Sequence, residues 1–251
     1  MKKLSIALLI FSAVASSVSS YAQTTTDNTT TMGERKGRPN VPGTFLIELG
    51  WNVLQDAPES MDMSIIGSRT LNMYYFYDVR LGNSKFYVLP GFGVGLDRYK
   101  FDNDNSTINQ FENNNGQIVS RIQDAFAATD SVDVKKSMLI TNYFDIPLEF
   151  RFYANPDDRK RSFKAGIGAK FGMRFSSHSK LKFEQDGENI KVKDKSSFEL
   201  NRFRYGVTGR VGVGGFNVFY YQSLSELFDG RSPTGTEDTS NITIGLSFTG
   251  F

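Results

Sequence analysis

The chain has 251 residues, with 29 Lys and Arg, 27 Asp and Glu and no Cys, so it carries neither a disulfide framework nor a thiol nucleophile, and no basic excess suited to nucleic acid. Its 22 Phe, 11 Tyr and one Trp coexist with a mean hydropathy of −0.34. Strands that alternate oily and polar residues produce that combination, and after the N-terminus no apolar run is long enough for a membrane-spanning helix.

Lys2 and Lys3 precede an apolar run from Leu4 to Ala15 and the small-x-small stretch Ser20-Tyr21-Ala22. This pattern predicts a signal peptide over residues 1–22, cut before Gln23, and therefore export. The alternative, an uncleaved anchor helix, is disfavoured by the shortness of the run. With no Cys after it, a lipoprotein anchor is excluded. Removing Lys2 and Lys3 leaves 27 basic residues against 27 acidic ones, a formal charge of zero. Residues 23–43, rich in Thr, Asn, Gly and Pro, read as a flexible periplasmic lead-in, and residues 44–251 as the folded domain.

The first predicted strand, Thr44 to Val53, sets Phe45, Ile47, Leu49, Trp51 and Val53 against Glu48 and Asn52. After a loop containing Pro58, Arg69 to Leu81 alternates again, with Leu71, Met73 and Tyr75 opposite Asn72, Tyr74 and Asp78. A tight turn at Gly82-Asn83-Ser84 leads to the third strand, Lys85 to Tyr99, where Phe92, Val94 and Leu96 oppose Gly93, Gly95 and Asp97. Asp102 to Lys136 is the longest excursion, and Ile118, Ile122 and Phe126, at i, i+4 and i+8, suggest a short helix within it.

The fourth strand, Met138 to Tyr153 (MLITNYFDIPLEFRFY), has the clearest pattern: Phe144, Ile146, Leu148, Phe150 and Phe152 against Asp145, Glu149 and Arg151. A polar turn, Asn155 to Asp158, precedes the fifth strand, Ser162 to Ser176, with Lys164, Lys170 and Arg174 on its polar side. Ser177 to Ser197 reads as a charged loop or an extended hairpin. Phe198 to Val213 places Arg202, Arg204 and Arg210 opposite Phe203, Tyr205, Val207 and Val211. Gly214-Gly215 signals a two-residue hairpin. In the next strand, Phe216 to Ser223, both parities carry aromatics, so its facing stays open. After a loop from Leu224 to Asp238, the eighth strand, Ser240 to Gly250, sets Ile242, Ile244, Leu246 and Phe248 against Thr243 and Ser247.

Eight strands result, with connections that alternate long and short. An even strand count, short turns at one end and long loops at the other predict an all-β, eight-stranded antiparallel up-and-down transmembrane β-barrel of the outer membrane, with both chain ends in the periplasm. A soluble Greek-key sandwich gives no reason for such regular alternation.

NYFDIPLEFRFYANP, KFYVLPGFGVGLDRY and RYGVTGRVGVGGFNVFYYQSL resemble segments of the PorT-like outer-membrane barrel proteins of Bacteroidetes, over roughly Phe45 to Phe251. The resemblance implies the barrel and invites a role as a narrow transporter or secretion-system accessory, but implies no activity, because the family is defined by its scaffold. One departure concerns the end of the chain: Phe251 lies on the polar parity, and Phe248 is in phase to carry the assembly signal.

The charges on the polar parity are the candidate site: Glu48, Asp78, Asp97, Asp145, Glu149, Arg151, Lys164, Lys170, Arg174, Arg202, Arg204 and Arg210. They could form a proton path, a narrow pore or a ligand site. Alternatively they pair to fill an eight-stranded lumen just wide enough for side chains. His178 between Ser177 and Ser179 invites comparison with lipid A deacylase, a serine–histidine barrel enzyme, but neighbours on a strand point to opposite faces. Asp102, Asp104 and Ser106 begin a calcium-loop spacing, yet Thr107 and Asn113 stand where Gly and Glu are needed. Asn105-Ser106-Thr107 matches a glycosylation acceptor, which means little in a bacterial protein. No cofactor or metal site is expected. The expected partners are outer-membrane lipid and, during biogenesis, the barrel-assembly machinery, with no nucleic acid; a protein partner cannot be named from these residues.

Overall fold

The computed structural model describes residues 43–116, 118–126, 132–159, 161–185, 187–229, 236 and 238–249. The expected signal peptide, all of the lead-in but Gly43, and Phe251 lie outside them. Twelve strands are described: β1 (Thr44–Gln55), β2 (Arg69–Phe76), β3 (Val79–Arg80), β4 (Phe86–Lys100), β5 (Ser106–Glu112), β6 (Ile118–Asp124), β7 (Asp133–Tyr153), β8 (Phe163–Gln185), β9 (Glu188–Asp194), β10 (Phe203–Val213), β11 (Phe216–Ser223) and β12 (Ser240–Thr249). Eight of them, β1, β2, β4, β7, β8, β10, β11 and β12, form a ring of antiparallel pairs. The ring closes where Leu46 to Gln55 of β1 lie against Thr249 to Ser240 of β12. Closure leaves no edge with unpaired backbone groups, the condition for a sheet in hydrocarbon.

The direction of burial separates a membrane barrel from a water-soluble one. On β7, Asp145 is 1% exposed while its neighbour Ile146 is 60% exposed, and Phe144 and Leu148 are open on the same outer face. From Phe144 to Phe152 that face covers eight rises of about 3.3 Å, ~26 Å along the strand. Adjacent strands continue it with stacked rings, Phe86 on Phe150 at 5.3 Å and Phe171 on Phe203 at 5.7 Å. Such a wall would cost heavily in water and is stabilised by acyl chains.

The short connections fall where expected: Gly82 to Ser84, Asn155 to Asp158, and Gly214-Gly215 between the paired Val213 and Phe216. The structure departs from the sequence reading in four places. Residues 118–126 hold no helix. Ile118 to Asp124 pair with Ser106 to Glu112 across a turn in which the Gly116 amide donates to the Asn113 carbonyl (2.9 Å). A four-residue spacing of oily residues is a multiple of two as well as close to 3.6, and Ile118, Val119 and Ile122 are β-branched, so the strand wins. Second, β7 and β8 run on well above the apolar wall, where β9 pairs with β8, so that of the two readings of Ser177 to Ser197 the extended hairpin holds and the loop does not. Third, β2 stops at Phe76, leaving Val79–Arg80 as a separate short pair with β4. Fourth, β10 begins at Phe203, after Phe198 and Leu200 have folded over the barrel end.

The facing of β11 is also fixed: Asn217, Phe219 and Tyr221 point inward, Phe216, Val218 and Tyr220 outward. Its pairing with β12 sets this, because Val218 is opposite Leu246 and Phe216 opposite Phe248.

Candidate functional site in the barrel lumen

The inward side chains stack in layers. At the short-turn end Leu46, Tyr74, Phe76, Tyr87, Leu89 and Tyr153 form an apolar floor. At the long-loop end a larger cluster, including Met61, Tyr99, Phe101, Ile108, Phe198 and Phe228, caps the lumen. The β5–β6 hairpin belongs to this cap, since Ile108 is buried in it and the Ser120 amide donates to the Glu199 carboxylate (2.8 Å).

Between floor and cap lie two ionic clusters. In the one nearer the floor, the Arg210 guanidinium donates to Glu48 Oε1 (2.8 Å) and Glu149 Oε2 (3.3 Å), and Arg151 Nε donates to Glu149 Oε1 (2.7 Å). Asn72 supplies a further donor to Glu48 (2.7 Å), and Ser247 accepts from Arg210 (2.6 Å). In the one nearer the cap, Arg204 donates to Asp97 and to Asp145 Oδ2 (2.7 Å), while Lys170 Nζ lies 4.0 Å from Asp145. Tyr74 donates to Asp145 (2.7 Å) and Thr70 to Asp97 (2.6 Å). Two rings finish the enclosure: Arg204 sits 3.8 Å from the Tyr143 centroid, and Lys170 3.7 Å from that of Tyr221.

Each cluster sets two carboxylates against two cations, so its net charge is zero. That balance is what burial demands, since an unpaired ion out of water costs several kcal/mol. The cavity beside Arg204, lined also by Tyr99, Tyr143 and Tyr221, has a volume of about 10 Å³, room for one water.

Nine of the charges on the polar parity are thus buried: Glu48, Asp97, Asp145, Glu149, Arg151, Lys164, Lys170, Arg204 and Arg210. Eight of them make the two clusters. Lys164 stands apart at the floor, donating to Thr249 (2.9 Å). Asp78 belongs to neither cluster and sits at the short-turn mouth beside Tyr153 and Lys164, where Arg159 (2.7 Å) and Thr44 (3.0 Å) donate to it. Arg174 is half-buried under the cap, donating to the Leu200 carbonyl (2.9 Å) and Ser177 Oγ (2.6 Å). Arg202 does not face inward as expected. It precedes β10, is exposed, and its guanidinium lies 5.9 Å from the Phe203 ring.

Sequence reasoning missed the neutral members, Thr70, Asn72, Tyr74, Tyr143 and Tyr221. The first four share the inward parity of their strands, a usable signal; Tyr221 had none, because the facing of its strand was open.

His178 is on the outer face of β8, opposite Ile140, whereas Ser177 and Ser179 point inward. Ser177 Oγ donates to the Ser196 carbonyl (2.7 Å), so it is engaged away from the imidazole. Asp104 is paired with Lys100 at 3.1 Å.

Glycine makes the upper cluster possible. A Cβ on Gly172 would collide with Asp145 Oδ1 and the Arg204 side chain, whereas one on Gly209 would meet nothing within 4 Å. Gly172→Val is therefore expected to destabilise the barrel by about 1–3 kcal/mol through overpacking, and Gly209→Ala to leave it unchanged. Urea midpoints of the two variants in detergent micelles check this.

Comparison with known proteins places this geometry. A family profile described as "Outer membrane protein beta-barrel domain" matches residues 42–229. Among solved structures, the crystal structure of Ail, the attachment invasion locus protein of Yersinia pestis, is 14% identical, covering 83% of this chain and 97% of its own, at a TM-score of 0.31. The same protein in complex with the heparin analogue sucrose octasulfate gives 15% identity, 84% and 100% coverage and a TM-score of 0.32. No curated protein matches.

Proposed function

The chain belongs to the outer membrane β-barrel domain family, and from that membership we propose a non-enzymatic outer-membrane protein whose lumen is sealed and whose contacts with other molecules are made by its outer surface. One observation carries this reading: two neutral ionic clusters fill the lumen between an apolar floor and an apolar cap. An eight-stranded barrel has space for side chains and little else. A diffusion channel needs an open bore, and side chains occupy the described lumen from floor to cap.

What remains for recognition is the long-loop end, where β5–β6 and β8–β9 stand as ordered hairpins. Ordered hairpins present a fixed surface to a partner at less entropic cost than mobile loops. The three segments that resemble PorT-like barrels favour a place among them, and retention of secretion-system proteins in a pull-down from outer-membrane vesicles would move the reading from a surface role to an accessory one.

The test of the sealed lumen is conductance. Purified protein inserted in planar bilayers is expected to give no ohmic steps above baseline. Stable single-channel steps would overturn the reading.

A further inference from the structure

The apolar outer wall ends abruptly at the long-loop end, and above it the same face turns basic. A register irregularity at Asn142/Tyr143 resets the parity of β8, so that above Phe175 the residues His178, Lys180 and Lys182 point outward. Across β9, Lys180 is opposite Lys193 and Lys182 opposite Lys191; across β7, Lys182 is opposite Lys136. Further round the wall, Arg98 on β4 is opposite Ile140 on one side and Arg69 of β2 on the other. Five adjacent strands therefore carry basic residues above the acyl-chain wall, in two groups, Arg69 with Arg98 and the hairpin lysines with Lys136, separated on β7 by Ile140 and Met138.

This band is not neutralised by the protein. The described ion pairs at this end are Lys100 with Asp104 and Lys135 with Asp133 and Glu184. The four hairpin lysines and both arginines have no carboxylate partner among the described residues. The charges feel one another: above the membrane span, burial first and then Lys136, Lys193, Lys191 and Arg98 push the Lys180 pKa down. Like charges placed opposite one another across strands are destabilising, so the arrangement calls for anions from outside.

Below Arg69 and Arg98 the wall is grooved. An open groove of about 620 Å³ runs between Trp51, Leu71, Leu96 and Leu49, with the two guanidinium groups at its upper end. Arg69 Nε is held by the Ile66 carbonyl (3.1 Å). An apolar trough topped by two arginines matches an acyl chain topped by a phosphate, the anion for which the guanidinium fork is best suited.

We propose that this band and groove form a binding site for the phosphorylated glycolipid of the outer leaflet, with acyl chains in the Trp51 groove, lipid A phosphate on Arg69 and Arg98, and the acidic groups above it on the β8–β9 lysines. A lipid occupant is favoured over a soluble polyanion by direction. The band faces sideways, in the plane of Ile140 and Phe175, where only membrane molecules pack. The inference rests on the outer-membrane location and not on the sealed lumen, so a conducting barrel would leave it standing.

The test uses the whole protein in detergent micelles and native mass spectrometry with three probes: rough lipopolysaccharide, the same glycolipid chemically dephosphorylated, and phosphatidylcholine. Wild type is expected to retain the phosphorylated glycolipid at least tenfold better than either other probe. The variant Lys180→Gln/Lys182→Gln/Lys191→Gln/Lys193→Gln should lose most of that preference. Arg69→Gln/Arg98→Gln, which leaves the hairpin intact, should lose it as well, with heat-modifiable migration in gels unchanged in both. Equal retention of phosphorylated and dephosphorylated probes would overturn the proposal. So would wild-type preference in both variants, or displacement of the glycolipid by inorganic phosphate or a soluble polysulfate at equal anion concentration, which would assign the band to dissolved anions.

Discussion

Arg204→Met is expected to destabilise the folded barrel by about 3–5 kcal/mol, the range for removing one partner from a buried ion pair. The cost arises because Asp97 and Asp145 remain, 2% and 1% exposed, with their main counter-charge gone. Lys170, 4.0 Å from Asp145, is too far to replace a bidentate guanidinium. The double variant Arg204→Met/Asp97→Asn leaves Asp145 beside Lys170 and restores a net charge of zero to the cluster, so it should recover part of the loss. Urea unfolding in lipid vesicles, followed by loss of heat-modifiable migration, gives both numbers. If the single variant is as stable as wild type, the upper cluster is not a dry, mutually satisfied group.

The second large effect lies on the outer wall. Ile146→Arg puts a cation at mid-height of the acyl-facing surface, where it should cost about 2–4 kcal/mol, whereas Val213→Arg, beside the Gly214 turn at the rim, should cost about 0–1. Both residues are more than half exposed, at 60% and 58%. A soluble protein would tolerate Arg equally at the two positions. The depth dependence is therefore the diagnostic, and equal effects in the same urea assay would argue against a membrane wall. Neither variant touches the lumen clusters, so their effects should add to that of Arg204→Met.

How much of this was readable beforehand depends on whether alternation survived. Along Phe144 to Tyr153 the two-residue period is unbroken, so the outer face and the inward Asp145, Glu149 and Arg151 follow from residue order alone. Above Phe175 the register irregularity shifts the phase by one, which hid both the continuation of β8 and the common facing of His178, Lys180 and Lys182. Residue order also says nothing about which strands meet across the lumen. Arg204 reaches Asp97, 107 positions away, and Arg210 reaches Glu48, 162 positions away, and only closure of the ring brings these together. The individual charges could be named, but not their pairing.

The seam between β1 and β12 has a consequence for how the molecule comes to exist. Leu46 faces Thr249, so the cylinder cannot be completed until the chain has arrived as far as β12. Until then both flanking strands offer bare edges. Pairings so distant along the chain form slowly. Closing this seam is thus the last pairing of the ring to become possible, whatever the finished protein goes on to do.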